Sequence, residues 1–439
     1  MATHAPEPAL RTSRKVAAAS LVGTTIEWYD FFIFGTAAAL VFNQVFFPSF
    51  DPVTGTLAAF GSFAVGFIAR PVGGAVFAHY GDRIGRKPML VWSLLMMGAA
   101  TVLMGLLPGY DQIGVWAPVL LVVLRFLQGF GVGGEWGGAA LMAVEHAPSN
   151  RRGFYGSWPQ VGVPAGLVLG TGAFAILSAT LTDEQFLAWG WRIPFLVSAV
   201  LIGVGMWIRL TVSESPVFQE SLDTKAAARM PVLDALRTYP KEIALASGSF
   251  IATHSTFYVG SVWLVSYATT TLGYERSEIL NANVALSASD IPMILAFGLL
   301  SDYVGRRKLF LGGMGLLVLF AVPYFFLVGT GSIWLFLLGG LVVQACRSAV
   351  YGPQSAFFAE QFSTGMRYSG SSLAYQFAAI IGGMAPLICT ALVAWTGSLY
   401  AVAGYVAFLA LVSFVCSYLM TETLRSGLPT DSPVRVGSR

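Results

Sequence analysis

The chain has 439 residues, 56% of them hydrophobic and 11% charged, whereas soluble domains carry roughly a quarter charged residues. So few polar groups cannot cover a water-exposed surface, which excludes a soluble globular protein and makes lipid the solvent. The net charge of +3 excludes nothing, because the placement of the charges carries the signal.

Twelve apolar segments long enough to span a bilayer follow one another, at approximately 16–46, 54–80, 88–107, 116–146, 153–180, 189–212, 243–271, 279–302, 308–328, 332–361, 368–395 and 398–420. The first is too long for a signal-peptide core and reads as a retained spanning helix. It holds Glu27 and Asp30, three residues apart on one helical face. A charge at mid-membrane costs about 2.5–3.5 kcal/mol unless paired or wet, and two carboxylates this close compete for ionisation. They are expected to load and release a proton. Segment 2 carries Arg70 beside Pro71 and Gly73-Gly74, where ligand binding and close helix packing are both open explanations.

Between segments 2 and 3 stands Gly81-Asp82-Arg83-Ile84-Gly85-Arg86-Lys87, and it returns between segments 8 and 9 as Ser301-Asp302-Tyr303-Val304-Gly305-Arg306-Arg307. A motif repeated 220 residues on implies two homologous halves. Segment 4 carries Arg125, Gln128, Glu135 and Trp136 and ends at Glu145, followed by Arg152. Arg125 and Glu135 are ten residues apart, roughly 80° around a helix, so they belong to different clusters. The one long polar stretch, 213–242, falls where a linker between halves belongs, giving 1–212, 213–242 and 243–439 as the expected divisions.

In the second half, His254 of segment 7 aligns with Tyr29 of segment 1. It reads either as a hydrogen-bonding core residue or as part of the site. Asp290 precedes Asp302 by 12 residues, as Arg70 precedes Asp82. Equivalent positions of a symmetric frame thus carry opposite charges. Segment 10 carries Gln344, Arg347 and Tyr351 and ends at Glu360, followed by Arg367. The three cysteines and four histidines are scattered without metal-like spacing, so no metal, cofactor or disulfide is expected. No nucleophile–base cluster indicates an enzyme, and nothing indicates a nucleic-acid partner.

Lys and Arg concentrate in one set of loops, at Arg14 and Lys15, Arg83 to Lys87, Arg151 and Arg152, the 213–242 stretch, Arg306 to Lys308 and Arg367. The opposite loops hold Asp51, Asp111, Asp183, Glu184, Glu275 and Glu278, with Arg276 as the exception. The positive-inside rule then makes both termini cytoplasmic.

The repeated Asp-Arg-x-Gly-Arg-Lys loop resembles the signature of the major facilitator superfamily. Glu27-Trp28-Tyr29-Asp30-Phe31, Arg70-Pro71-Val72-Gly73-Gly74, Gly133-Gly134-Glu135-Trp136-Gly137, Trp191-Arg192-Ile193-Pro194-Phe195 and Glu214-Ser215-Pro216-Val217-Phe218 are similar to the metabolite:proton symporter family, with its shikimate, 2-oxoglutarate, citrate and proline/betaine permeases. The resemblance implies an all-α membrane protein of twelve transmembrane helices in two pseudo-symmetric six-helix bundles, a proton-coupled importer working as a monomer in the plasma membrane by alternating access. Expected proton-coupling residues are Glu27, Asp30, Glu135 and Asp290. Arg347 and Arg125 are the expected carboxylate holders, because a guanidinium grips that group bidentately; Gln128, Arg70, Tyr29, Trp136, His254 and Tyr351 complete the expected substrate site. Asp82, Arg86, Glu145, Arg152, Asp302, Arg306, Glu360 and Arg367 are expected to gate the cytoplasmic side. A small organic acid is the expected substrate, a zwitterionic osmolyte such as proline or betaine the alternative, and a transporter-like receptor a further one.

Overall fold

A computed structural model of the protein describes residues 7–84, 86–133, 136–211, 231–363 and 366–424. Side chains are described throughout these except at 7–20, 78, 79, 81–84, 86, 87, 90, 136–139, 142, 208–211 and 231–234. Twelve long helices account for the spans: α1 (Glu7–Leu40), α2 (Pro52–Ile84), α3 (Arg86–Leu106), α4 (Trp116–Val132, resuming as Trp136–Glu145), α5 (Arg152–Thr180), α6 (Ile193–Thr211), α7 (Pro240–Tyr258, a π-helical stretch Val259–Trp263, then Leu264–Thr270), α8 (Arg276–Val304), α9 (Arg306–Val328), α10 (Ile333–Gln361), α11 (Arg367–Thr396) and α12 (Leu399–Leu419). No strand occurs among the described residues. An apolar environment leaves the backbone no partner but itself, and helices satisfy that demand within each segment.

By length and hydropathy alone, eight helices of the described residues qualify as spans, and Val91–Leu106 and Trp116–Val132 are shorter apolar helices. The remaining two, α1 and α7, bury polar groups within the span: Glu27 and Asp30 on α1, and Ser249, Thr253, His254 and Thr256 on α7. Those polar groups lower their hydropathy. The sequence reading treated segment 4 as one helix; the structure describes it as Trp116–Val132 and Trp136–Glu145, with Gly134 and Glu135 outside the described residues.

The packing repeats itself. In the first half α1 lies on α5, α2 on α4, and α3 on α4 and α6. In the second, α7 lies on α11, α8 on α10, and α9 on α10 and α12. Each pair has its counterpart six helices on. Contacts between the halves obey the same exchange, α2 meeting α11 and α5 meeting α8. Two pseudo-symmetric six-helix bundles result. Within the polar stretch, Pro231–Thr238 is a helix whose Ala235 packs with Tyr239, Ile243 and Phe362 at the end bearing the basic loops.

Local chemistry sets the helix ends. The Thr54 hydroxyl and the amides of Thr54 and Val53 hold the Asp51 carboxyl below its ordinary range at the start of α2. A capping box of Thr182 and Gln185 opens the short helix before α6. Gly305, with φ of 109°, makes the turn from α8 to α9 that other residues rarely adopt.

Candidate functional site

Small residues at the crossings fix where the polar side chains can stand. A Cβ on Gly73 would sit 1.9 Å from the Phe130 carbonyl oxygen, and one on Gly133 would sit 2.0 Å from that of Arg70. This contact of α2 with α4 holds Arg70 at the centre of the first half. Gly166 of α5 lies so close to α1 that a Cβ would meet the Tyr29 nitrogen at 2.7 Å; Gly382 of α11 crosses α7 with the same intimacy, at 2.5 Å from the His254 Cβ. The equivalent crossings thus place Trp28 and His254 on opposite sides of the midline.

Between them is a small central cavity lined by Trp28 of α1, Val163 of α5, Phe250, Thr253, His254, Phe257 and Tyr258 of α7, Arg347 and Tyr351 of α10 and Tyr375 of α11. It has room for little more than a single water, so the halves are closed around it. The Trp28 indole nitrogen, the Thr253 hydroxyl, the His254 Nε2 and the Tyr258 hydroxyl are buried without a hydrogen-bond partner among the described residues. Buried polar atoms left open in this way are expensive unless something fills them. A ligand with several oxygens would do so. Arg70, 2% exposed, lies 5.0 Å from the Trp28 ring and within electrostatic reach of His254, Tyr258, Tyr351 and Tyr375. Guanidinium groups of both halves therefore act on one cavity.

The structure distributes the other candidates differently from the sequence reading. Arg125 is not on the cavity. It is fully buried inside the first half, with Phe31 and Phe34 ring centroids 4.0 and 4.2 Å from its guanidinium carbon, and it donates to the Gln128 side-chain oxygen. Gln128 in turn donates to the Asp30 carbonyl and to Thr101. Cation–π contacts and an amide replace the carboxylate partner expected for Arg125. Tyr29 is also off the cavity, its hydroxyl donating to the Pro194 carbonyl of α6 at 2.9 Å. Asp30 turns the same way. It is fully buried beside Ser198 and Glu27, yet neither carboxylate oxygen has hydrogen-bond geometry to a partner among the described residues. Glu27 is buried within electrostatic reach of both Asp30 and Tyr375. Glu135 and the side chains of Trp136, Asp82 and Arg86 lie outside the described residues.

Asp290 and Arg347, assigned separate roles from the sequence, form one buried ion pair, and the Ser348 hydroxyl donates to the other Asp290 oxygen. Gln344 accepts from the Arg347 Nε at 2.9 Å.

At the basic end the halves are joined by charges. Asp302 accepts the Gly153 and Phe154 amides at 2.9 and 3.0 Å, so a carboxylate of α8 caps the N-terminus of α5. Arg306 bridges Asp302 at 2.9 Å and Glu360 at 3.3 Å, and Arg367 reaches Glu145 across the halves at 3.1 Å. Arg152 is half-buried within the field of Glu360, Asp302, Arg306 and Arg367. Two members of this network escaped the sequence reading: Glu422 receives the Arg306 and Arg307 amides at 3.0 and 3.1 Å, and Thr423 donates to Glu360. Nothing in a polar tail marks them. At the opposite end Arg276, the exception to the charge pattern, pairs with Asp183 of the other half. Among the described residues no group of His, Cys, Asp and Glu could hold a metal ion.

Comparison with known proteins places this geometry. The profile of the family described as "Sugar (and other) transporter" matches residues 15–247. The shikimate transporter of Escherichia coli is 41% identical over 422 residues, 95% of this chain and 96% of that protein. The proline/betaine transporter of the same organism is 34% identical over 429 residues, covering 96% and 86%. The crystal structure of a D-xylose–proton symporter superposes with a TM-score of 0.70 at 18% identity, over 94% of this chain and 97% of that one.

Proposed function

Since the chain belongs to the sugar (and other) transporter family of the major facilitator superfamily and is a multi-pass membrane transporter of small metabolites, we propose that it imports a small organic acid together with protons, as a monomer. The observation that carries this reading is Arg347. Its guanidinium lies on the wall of the central cavity and already holds a carboxylate, that of Asp290. Arg70 adds a second positive centre from the other half. The unpartnered hydroxyl, imidazole and indole groups suit a hydroxylated acid, and the shikimate transporter among the relatives agrees with that class.

The cycle is alternating access. The basic end is cytoplasmic by the positive-inside rule, and the divisions 1–212 and 243–439 rock about the cavity. Asp302, Arg306, Glu360, Arg367 and Glu145 hold the cytoplasmic side shut, with Arg152 beside them; Asp82 and Arg86 belong to the same device by sequence. Glu27 and Asp30 carry protons, together with Glu135 and Asp290.

A second reading has its own support. The cavity is rich in aromatic faces, from Trp28, Phe257, Tyr258, Tyr351 and Tyr375, which attract a quaternary ammonium, and proline/betaine transporters are relatives. An uptake panel in cells separates the two. Radiolabelled shikimate, other ring carboxylates, dicarboxylates, proline and glycine betaine are offered with and without a protonophore. The expected outcome is protonophore-sensitive accumulation of a carboxylate. Accumulation of betaine or proline alone selects the second reading.

A further inference from the structure

Arg347 lines the central cavity, whereas Asp290 stands behind it, fully buried. Among the described residues, the Arg347 guanidinium lines the cavity and also holds that carboxylate. We propose that the substrate's carboxylate and Asp290 exchange places on Arg347, so that each anion bound from the cavity obliges Asp290 to take up a proton. This rests on the reading of the substrate as an organic acid.

The argument is one of charge conservation in a dry place. With the cavity empty, Asp290 and Arg347 neutralise each other. A carboxylate arriving from the cavity takes the guanidinium edge that Asp290 occupied. Asp290 then retains only the Ser348 hydroxyl as a donor, and an isolated buried carboxylate is strongly disfavoured. A proton from solvent forms an O–H bond on Asp290. No bond of the substrate breaks, and the cluster is neutral before and after: Asp290 anion with Arg347 cation becomes substrate anion with Arg347 cation beside neutral Asp290. Protons carried on α1 are additional and make the cycle electrogenic.

A route for the proton is visible. Asn283, Ser287 and Asp290 follow at i, i+4 and i+7 on one face of α8. Asn283, Ser287 and Gln344 line a second cavity between α7, α8 and α10. That cavity reaches Ile279 and Phe336, near the starts of α8 and α10, so it lies toward the end opposite the basic loops. Asn283 donates to the Ser261 carbonyl in the π-helical stretch of α7, and Ser287 donates to the Asn283 carbonyl. The polar line thus descends from the outer end to Asp290. The titratable groups packed around the pair are Tyr351 on α10, His254, Tyr258 and Tyr267 on α7 and Tyr324 on α9; α5, which lies along α8, bears Arg152 and Tyr155 at its basic end. None of them is a second carboxylate that could replace Asp290.

Purified protein in liposomes without any gradient provides the test, with shikimate as the probe. Calorimetry in buffers of different ionisation enthalpy counts protons taken up on binding. Wild-type protein is expected to take up one, with affinity falling about tenfold per pH unit as pH rises above neutrality, the linkage of one proton. Asp290→Asn should bind with no proton uptake at this step and a flatter pH profile. An unchanged slope in Asp290→Asn overturns the exchange. A ligand-free arm uses infrared spectroscopy: Arg347→Gln should show a neutral carboxyl stretch that is missing from wild type and from the charge-balanced Arg347→Gln/Asp290→Asn double variant. If wild-type protein binds no carboxylate at all, the functional reading fails, and the infrared arm decides the switch alone, since Arg347→Gln without that signal contradicts it.

Discussion

Asp30→Asn is expected to abolish uptake driven by a proton gradient while leaving counterflow exchange of internal for external substrate partly intact. The carboxylate is fully buried on α1, three residues from Glu27, with neither oxygen hydrogen-bonded among the described residues. A group in that position is costly when charged and inexpensive when protonated. Asparagine mimics the protonated form permanently, so the loaded carrier still reorients but the empty one cannot shed its proton to return. A charge at this depth costs about 2.5–3.5 kcal/mol, which corresponds to roughly a hundredfold in the coupled step. Glu27→Gln should act in the same direction. Initial rates in membrane vesicles, with and without an imposed proton gradient, check both. Full gradient-driven uptake in the two variants would remove α1 from proton coupling.

Gly153→Val is expected to open the basic end. Where α5 of one half meets α8 of the other, a Cβ on Gly153 would lie 2.1 Å from the Ser301 hydroxyl and 2.5 Å from the Gly298 carbonyl oxygen; one on Gly298 would lie 2.6 Å from the Ser157 hydroxyl. The backbone has nowhere to go except apart. Separation also takes the Gly153 and Phe154 amides away from Asp302, so the wedge removes the helix cap along with the packing. Overpacking costs about 1–3 kcal/mol, a shift of roughly five- to a hundredfold between closed and open populations. Ser355, buried beside Gly156, offers a reporter. In a background without Cys346, Cys389 and Cys416, Ser355→Cys should be labelled by a water-soluble thiol reagent much faster when Gly153→Val is present. Equal labelling in a folded variant would show that this crossing does not set the gate.

The position of each charged residue along its helix was legible in the sequence; its direction around the helix was not. Counting from the repeated Asp82 and Asp302 motifs puts Arg70 and Asp290 near mid-membrane. The repeat itself announces the two-fold packing seen between α2 and α11 and between α5 and α8. Direction is another matter. A helix that faces lipid on one side and packed neighbours on the other is apolar all round, so periodicity does not say which face a lone arginine takes. Arg125 and Tyr29 therefore read as cavity residues although they point into the first half, toward α2 and α6. For the same reason Asp290 and Arg347 read as separate functional groups, because pairing between α8 and α10 depends on the rotation of both helices. The stretch of α7 that carries Thr253 and Phe257 looked like ordinary membrane sequence. Only the interrupted helix and the buried polar atoms identify it as the cavity wall.

The central claim is that a proton gradient drives a carboxylate inward through this chain, and proteoliposomes test it most directly. Purified protein is reconstituted with an inward proton gradient and the membrane potential clamped at zero by potassium and valinomycin, and labelled carboxylates from the panel are added outside. The account predicts accumulation above the external concentration that collapses on addition of a protonophore and is lost in Arg347→Gln. Accumulation that is indifferent to the proton gradient, or equilibration of the carboxylate without accumulation, would contradict it.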